Sequence, residues 1–307
     1  MRQRLFKQVD VFTATPFFGN PLAVVLDGSG LNDAAMQRFA RWTNLSETTF
    51  VLPPTQAEAD YQLRIFTPSG ELPFAGHPTL GSCHAWLESG GQPKNKTFIV
   101  QECAKGLIGI RRDGGVGTGA VQLAFAAPGL ARSEPDTDLT TRVASALGIN
   151  VAQIAAAQLL DNGPVWLGLL LDSPETVLQI TPNHQELKRL NIKVGVAGIY
   201  TQPLPALIAR ANREARAFTQ TPPDAAPDLE VRAFAACMGI DEDPVTGSLN
   251  ASLAQWLMAE GLMPARYTAS QGVCMGRTGL VELHQDAQGQ LWAGGQSVTC
   301  VDGTVTL

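Results

Sequence analysis

The sequence predicts a mixed α+β protein of two similar domains, and three observations carry that reading. The first is length: 307 residues exceed the roughly 100–200 of a single domain. The second is the alternation of short β-branched and aromatic runs with helices punctuated by Gly and Pro. The third is an internal echo. Leu63-Arg64-Ile65-Phe66 is followed by a Gly/Pro loop, Gly76, a helix containing Trp86-Leu87 and a stop at Gly90. Val231-Arg232-Ala233-Phe234 is followed by a loop, Gly247, a helix containing Trp256-Leu257 and a stop at Gly261. Both helices span 14 positions (90 − 76 and 261 − 247), while the loops differ, 10 (76 − 66) against 13 (247 − 234). Gly-stopped helices are common, so two ordinary strand–loop–helix units could coincide. The sharper reading is an ancient duplication.

Taken in order, Phe6 to Phe12 reads as a strand, Gly19-Asn20-Pro21 as a turn and Leu22 to Leu26 as a returning strand. Asn32 caps a helix to about Trp42 with Met36, Phe39 and Ala40 on one face. Tyr61, Leu63 and Ile65 alternate with polar residues, the signature of a half-buried strand. A helix from about Pro78 to Glu88 ends at Gly90-Gly91, with Pro at its start and Gly past its end. Three strands fill Thr97 to Phe125, separated by Gly106 and Gly114-Gly115. The Ala- and Pro-rich stretch from Ala126 to Pro135 marks a domain boundary. Beyond it, helices are expected near Asp138–Leu147, Pro174–Gln179, Asn183–Leu190 and Ser248–Glu260, and strands at Val165–Leu171, Val194–Tyr200 and Leu229–Phe234. Gln220 to Asp228, with its three prolines, reads as a loop, and Asp302-Gly303 as a hairpin turn in a strand-rich tail.

Composition excludes several functions. The net charge of −6 leaves no basic footprint for nucleic acid or an anionic membrane. No apolar run approaches the ~18 residues of a membrane span, and Met1 to Asp10 lacks the apolar core of a signal peptide. Five widely spaced Cys without a CxxC argue against disulfides and zinc ribbons and fit reduced thiols in the cytoplasm. The four His (His77, His84, His184, His284) show no metal-ligand spacing, so no metal is expected. Phosphate-loop, dinucleotide, zincin and nucleophile-elbow motifs are absent.

Three segments are rich in small and ionisable residues. Glu47 lies in Asn44-Leu45-Ser46-Glu47-Thr48, between a helix end and the apolar run Phe50-Val51-Leu52. Its plain reading is a solvated loop side chain. His77 lies in Phe74-Ala75-Gly76-His77-Pro78-Thr79 and could simply cap the helix that follows. Asp241-Glu242-Asp243 precede Gly247-Ser248 and could simply complement the helix dipole. A functional reading is also open. A helix start exposes backbone N–H groups, and Gly there admits a ligand close to the backbone. Two such starts facing one cleft would hold a carboxylate or stabilise a developing enolate. Cys83, beside His84 in the first helix, reads as a core thiol, because adjacent helical positions do not face each other.

Taken together, these segments resemble the phenazine biosynthesis (PhzF-like) family of the diaminopimelate epimerase and proline racemase fold. The stretches that carry the likeness are Val9-Asp10-Val11-Phe12, Phe18 to Val24 with Gly19-Asn20-Pro21, Asn44 to Thr48, Phe74 to Gly81, Asp243 to Ser248, and Gly294-Gly295-Gln296. The resemblance implies a diaminopimelate epimerase-like fold, each domain a curved, mostly antiparallel, barrel-like sheet around a central helix. It implies a first domain of 1–127 plus 291–307 and a second of 128–290. It further implies a cofactor-independent isomerase acting on a small molecule, in a homodimer. Glu47 matches the general acid/base, and His77 and Asp243 match proton-handling positions. Asn20, Gly76, Gly247 and Ser248 match substrate-binding positions. The related racemases place a cysteine at each of two Gly-led helix starts, and neither start here carries one. A thiol-dependent epimerase is therefore the lesser alternative, beside a binding protein that kept the cleft and lost the chemistry. Glu is a weak base in water, with an unperturbed pKa near ~4.3. Enclosure would make it a better one.

Overall fold

The computed structural model describes residues 2–95, 98–114, 121–200 and 226–307. Thr97, Gly115 and most of the expected loop from Gln220 lie outside them. The chain divides into two compact units, Met1–Ala126 with Ala293–Leu307, and Ala127–Trp292.

The first unit holds β1 (Gln3–Val11), β2 (Asn20–Val25), α1 (Asp33–Thr43), β3 (Thr48–Leu52), β4 (Tyr61–Phe66), β5 (Glu71–Leu72), α2 (Gly76–Glu88), β6 (Phe98–Cys103), β7 (Gly106–Gly114) and β8 (Val121–Ala126). A C-terminal strand, Ser297–Thr306, pairs antiparallel with β1. Two pairings are parallel, β2 with β3 and β4 with β6. Parallel neighbours need a crossover, and α1 and α2 supply the two.

The helices differ in how they are buried. Asn32 caps α1 by accepting from the Ala35 N–H, and Met36, Phe39 and Ala40 turn inward as their spacing predicts. They pack with Val25, Phe50 and Phe66 on the outer face of the sheet. By contrast, α2 is buried almost all round and touches β1, β2, β3, β4, β8 and the C-terminal strand. The sheet therefore curves about it. Contact is close enough that a Cβ on Gly81 would sit 2.7 Å from Leu22 Cδ2 and 2.8 Å from Val11 Cγ2.

The second unit repeats this order. It runs β9 (Ala131–Ser133), α3 (Thr137–Leu147), β10 (Ile154–Asp161), β11 (Val165–Leu171), α4 (Pro174–Gln179), α5 (His184–Leu190), β12 (Lys193–Ile199), β13 (Leu229–Ala235), β14 (Ile240–Asp243), α6 (Gly247–Ala259), β15 (Arg266–Gln271) and β16 (Gly279–Gln285). Again two pairings are parallel, β11 with β12 across α4 and α5, and β13 with β15 across α6. Leu167, Leu169, Val194, Val196 and Phe234 face α3, α4 and α5, burying Val143, Leu147, Val177 and Leu187. On the other face α6 presses on the sheet at Gly195, where a Cβ would run into Leu249 Cδ1.

The echo extends to side chains. In the first unit Arg64 donates through Nε and Nη2 to the two oxygens of Glu71, its guanidinium 5.1 Å from the Phe66 ring. In the second, Arg232 forks onto Glu242 in the same way, 5.1 Å from Phe234. Both central helices have 13 residues.

Two local expectations are corrected. Asp302-Gly303 is no turn. Both residues lie within the C-terminal strand, opposite Lys7 and Phe6, and Asp302 is held by the Lys7 ammonium at 2.8 Å. Asn20 and Pro21 belong to β2 rather than to a turn. Among the described residues only β1 flanks that end of β2, since β3 joins at Ala23, so the missing Pro N–H leaves no ladder bond unmade. The acids that precede the second helix start, Asp241 to Asp243, lie in strand β14, where Arg232 engages Glu242. Among the described residues no helix is long and apolar enough to cross a membrane.

Candidate functional site

Parallel pairing of β2 and β3 places the starts of both strands at one end of the first unit's sheet. Asn20 opens β2 and Glu47 immediately precedes β3. His77 is the second residue of α2, the helix those strands wrap. The three side chains meet. Asn20 Nδ2 lies 3.4 Å from His77 Nδ1, and His77 Nε2 lies 3.3 Å from Glu47 Oε2. Asn20 is fully buried, and the side chains of His77 and Glu47 are 5% and 13% exposed. Glu47 is thus no solvated loop residue, and His77 points to Glu47 instead of capping its helix.

Burial pushes the His77 imidazole down to about 3. The ring is neutral at physiological pH despite the carboxyl 3.3 Å away, so the contact is not an ion pair. An amide nitrogen can only donate. With Asn20 Nδ2 facing it, Nδ1 must accept, which puts the ring proton on Nε2, toward Glu47. The loop that delivers Asn20 begins at Phe12 (φ 66) and contains Phe17 (φ 76). Left-handed backbone at bulky residues costs of order 1–3 kcal/mol each and persists where the surroundings enforce it.

The start of α2 is chemically bare. Its N-cap, Ala75, offers no side-chain hydrogen bond, and its first turn has no acid. The peripheral helices are closed by Asn32, Asp136, Ser173 and Asn183. The Gly76 and His77 amides therefore retain the anion-attracting character of a helix start.

In the second unit, Asp243 ends β14 and Gly247 and Ser248 begin α6. This helix also lacks a side-chain cap and an acidic first turn. Thr246 stands at the N-cap position, yet its hydroxyl turns to Asp243 Oδ2 at 2.6 Å. Ser248 Oγ accepts from Trp166 Nε1 at 3.3 Å. Gln271, fully buried at the end of β15, bonds to Asp243, Thr246 and Asn250. Sequence reading passed over Gln271, because its distance along the chain hides the contact.

So Asn20, Glu47, Gly76 and His77 come together in the first unit, and Asp243, Gly247 and Ser248 in the second. His84 contacts Glu88 and Thr299 instead. Among the described residues no group of three or more His, Cys, Asp or Glu is arranged to hold a metal. Cys83 is fully buried and its thiol is pushed up to about 12, so it supplies no thiolate nucleophile at neutral pH.

Comparison with known proteins identifies the family of the chain. Residues 9–303 match the family model described as phenazine biosynthesis-like protein. The chain is 35% identical over 315 residues to antisense-enhancing sequence 1 of Schizosaccharomyces pombe, covering 99% of each. It is 30% identical over 308 residues to trans-2,3-dihydro-3-hydroxyanthranilate isomerase of Pseudomonas chlororaphis, covering 97% of this chain and 98% of that one. Among solved structures, a PhzF-family phenazine biosynthesis protein of Bacillus anthracis superposes with a TM-score of 0.81 at 21% identity, covering all of both chains.

Proposed function

The chain belongs to the phenazine biosynthesis-like family and is an isomerase, and from that premise we propose that it works without a cofactor, Glu47 moving a proton on a small carboxylate-bearing metabolite. The observation that carries this reading is the enclosed row Asn20, His77, Glu47. A proton-transfer base needs a carboxylate that water does not hold, placed beside a group that fixes its direction. His77 offers an Nε2–H without a charge that would neutralise the base. The bare start of α2, through the Gly76 and His77 amides, suits a substrate carboxylate or the negative charge that develops as a proton leaves. In the second unit Asp243 is the second proton-handling group, and Gly247 and Ser248 are binding groups. The cytoplasmic location, and the homodimer that the family resemblance implies, belong to the same reading.

The test uses trans-2,3-dihydro-3-hydroxyanthranilate, the compound in the relative's name, as first probe in heavy water. The native protein is expected to isomerise it and to introduce solvent deuterium. Glu47→Gln should bind within a few-fold of native and lose turnover by about 10²–10⁴. Undiminished isomerisation by that variant sinks the assignment of Glu47. Binding of the probe by the native protein with no exchange favours a binding protein.

A further inference from the structure

Around Asp243 every hydrogen atom has only one place to go. Gln271 Oε1 accepts from the Thr246 backbone N–H at 2.9 Å. Its Nε2 donates to the Asp243 backbone carbonyl at 2.9 Å. Those two partners have fixed roles, one donor and one acceptor, so the orientation of the Gln271 amide is not free. The second N–H of Gln271 Nε2 reaches Thr246 Oγ1 at 3.0 Å, and that oxygen must accept it. The single proton of the Thr246 hydroxyl is then committed elsewhere, and the acceptor it finds is Asp243 Oδ2 at 2.6 Å. Asn250 Nδ2 donates to Gln271 Oε1 at 2.8 Å and completes that oxygen. The Gln271 amide is saturated by these four bonds, and Gln271 and Asn250 are fully buried.

We propose that Gln271 is a positioning residue for Asp243: by donating to Thr246 it directs the Thr246 hydroxyl at Asp243 Oδ2 and so favours the ionised carboxylate in one rotamer. The proposal rests on Asp243 being a proton-handling group, the reading above, but its direct readout does not. A short bond from a neutral hydroxyl to a carboxylate stabilises the charged form. Without Gln271 the hydroxyl can rotate, accept instead of donate, and leave Asp243 easier to protonate. Charged groups on the surrounding elements are Asp241 and Glu242 on β14, and on β13 Glu230 and Arg232, the latter paired to Glu242. Arg277 belongs to the turn after Gly272 that packs on the Pro244 carbonyl. Cys237 lies six residues before Asp243, and Cys274 lies within electrostatic reach of Arg232 and Glu242. None of these changes in the variants below, so differences between variants report the relay.

The experiment follows the Asp243 carboxyl carbon by NMR in full-length protein carrying ¹³C-labelled aspartate, with Asp243→Asn assigning the signal. Gln271→Met keeps the volume and removes both roles of the amide. Thr246→Val removes the hydroxyl with little change in shape, and Thr246→Ser keeps it. The expected result is a rise of the Asp243 midpoint by about one to two pH units in Gln271→Met and in Thr246→Val. The double variant should rise no further, because both act through one bond. Thr246→Ser should stay near native. An unchanged midpoint in a folded Gln271→Met overturns the proposal. If that variant does not fold, Thr246→Val decides: an unmoved midpoint there overturns it equally. Turnover separates the two levels: if Asp243→Asn retains activity while the midpoints move as expected, the relay stands and the proton-handling reading falls.

Discussion

His77 Nε2 stands 3.3 Å from Glu47 Oε2, and the imidazole that carries it is neutral because burial, not a charged partner, dominates its titration. The sign of the resulting pH effect follows from linkage. The folded state holds His77 near 3, while the unfolded chain protonates it near its ordinary 6.5. Protons therefore favour the unfolded chain, and stability falls as pH drops from 6.5 toward 3. The slope approaches about 1.4 kcal/mol per pH unit from this one group. Urea unfolding at pH 7, 5 and 4 should show native protein losing stability more steeply than His77→Gln. Parallel loss in both would mean that His77 titrates normally in the fold.

Asn20→Asp is expected to invert the imidazole. A carboxylate facing Nδ1 accepts, so the ring proton moves to Nδ1 and Nε2 presents a lone pair to Glu47. A misplaced tautomer costs on the order of 10²-fold or more in turnover where a histidine orients the chemistry. ¹⁵N chemical shifts of His77 should report the swap directly. Native turnover together with a swapped tautomer would remove the imidazole from the mechanism.

The two Arg–Glu forks share geometry but not burial. Side-chain exposure is 24% and 37% for Arg64 and Glu71, and 5% and 12% for Arg232 and Glu242. Removing one partner of a buried pair strands a charge and costs about 3–5 kcal/mol, whereas a half-exposed pair is worth about 1 kcal/mol or less. Glu242→Gln should therefore destabilise several-fold more than Glu71→Gln in chemical denaturation. Arg232 also donates to the Val177 and Ile180 carbonyls, which ties α4 to the same guanidinium. Equal costs at the two positions would show that burial does not set the strength of this pair.

Elements governed by local chemistry were legible in the sequence. The Asn32 cap and the spacing of Met36, Phe39 and Ala40 define α1 without help from the rest of the chain. Gly and Pro punctuation marked α2 and α6, whose buried surfaces carry no one-sided pattern. Strands set by distant partners were not legible. Ile154 to Asp161 is Ala-rich and becomes a strand because β9 and β11 flank it. The acids of β14 disfavour a strand, and the Arg232 fork holds Glu242 there. Asp302-Gly303 carries a turn signal that pairing with Lys7 and Phe6 overrides. Within the site, the individual residues Asn20, Glu47 and His77 stood out by type and by resemblance. Their contact did not, because positions 20, 47 and 77 come from three elements that only the parallel pairing of β2 and β3 aligns. Gln271 escaped for the same reason.

The pairing of β1 with residues 297–306 bears on how the molecule is made. During synthesis β1 leaves the ribosome well before its partner, which follows only after residues 127–292, a complete unit, have been added. The outer edge of β1 is thus a temporary vacancy, and an open strand edge invites pairing with other chains. The intervening unit can fold first, and the enclosing one waits for its closing strand. Arg2 and Leu307 then meet through paired backbone bonds of 2.7 and 3.1 Å. Joining those ends and opening the chain near residue 127 would yield a permutant in which β1 and its partner emerge together.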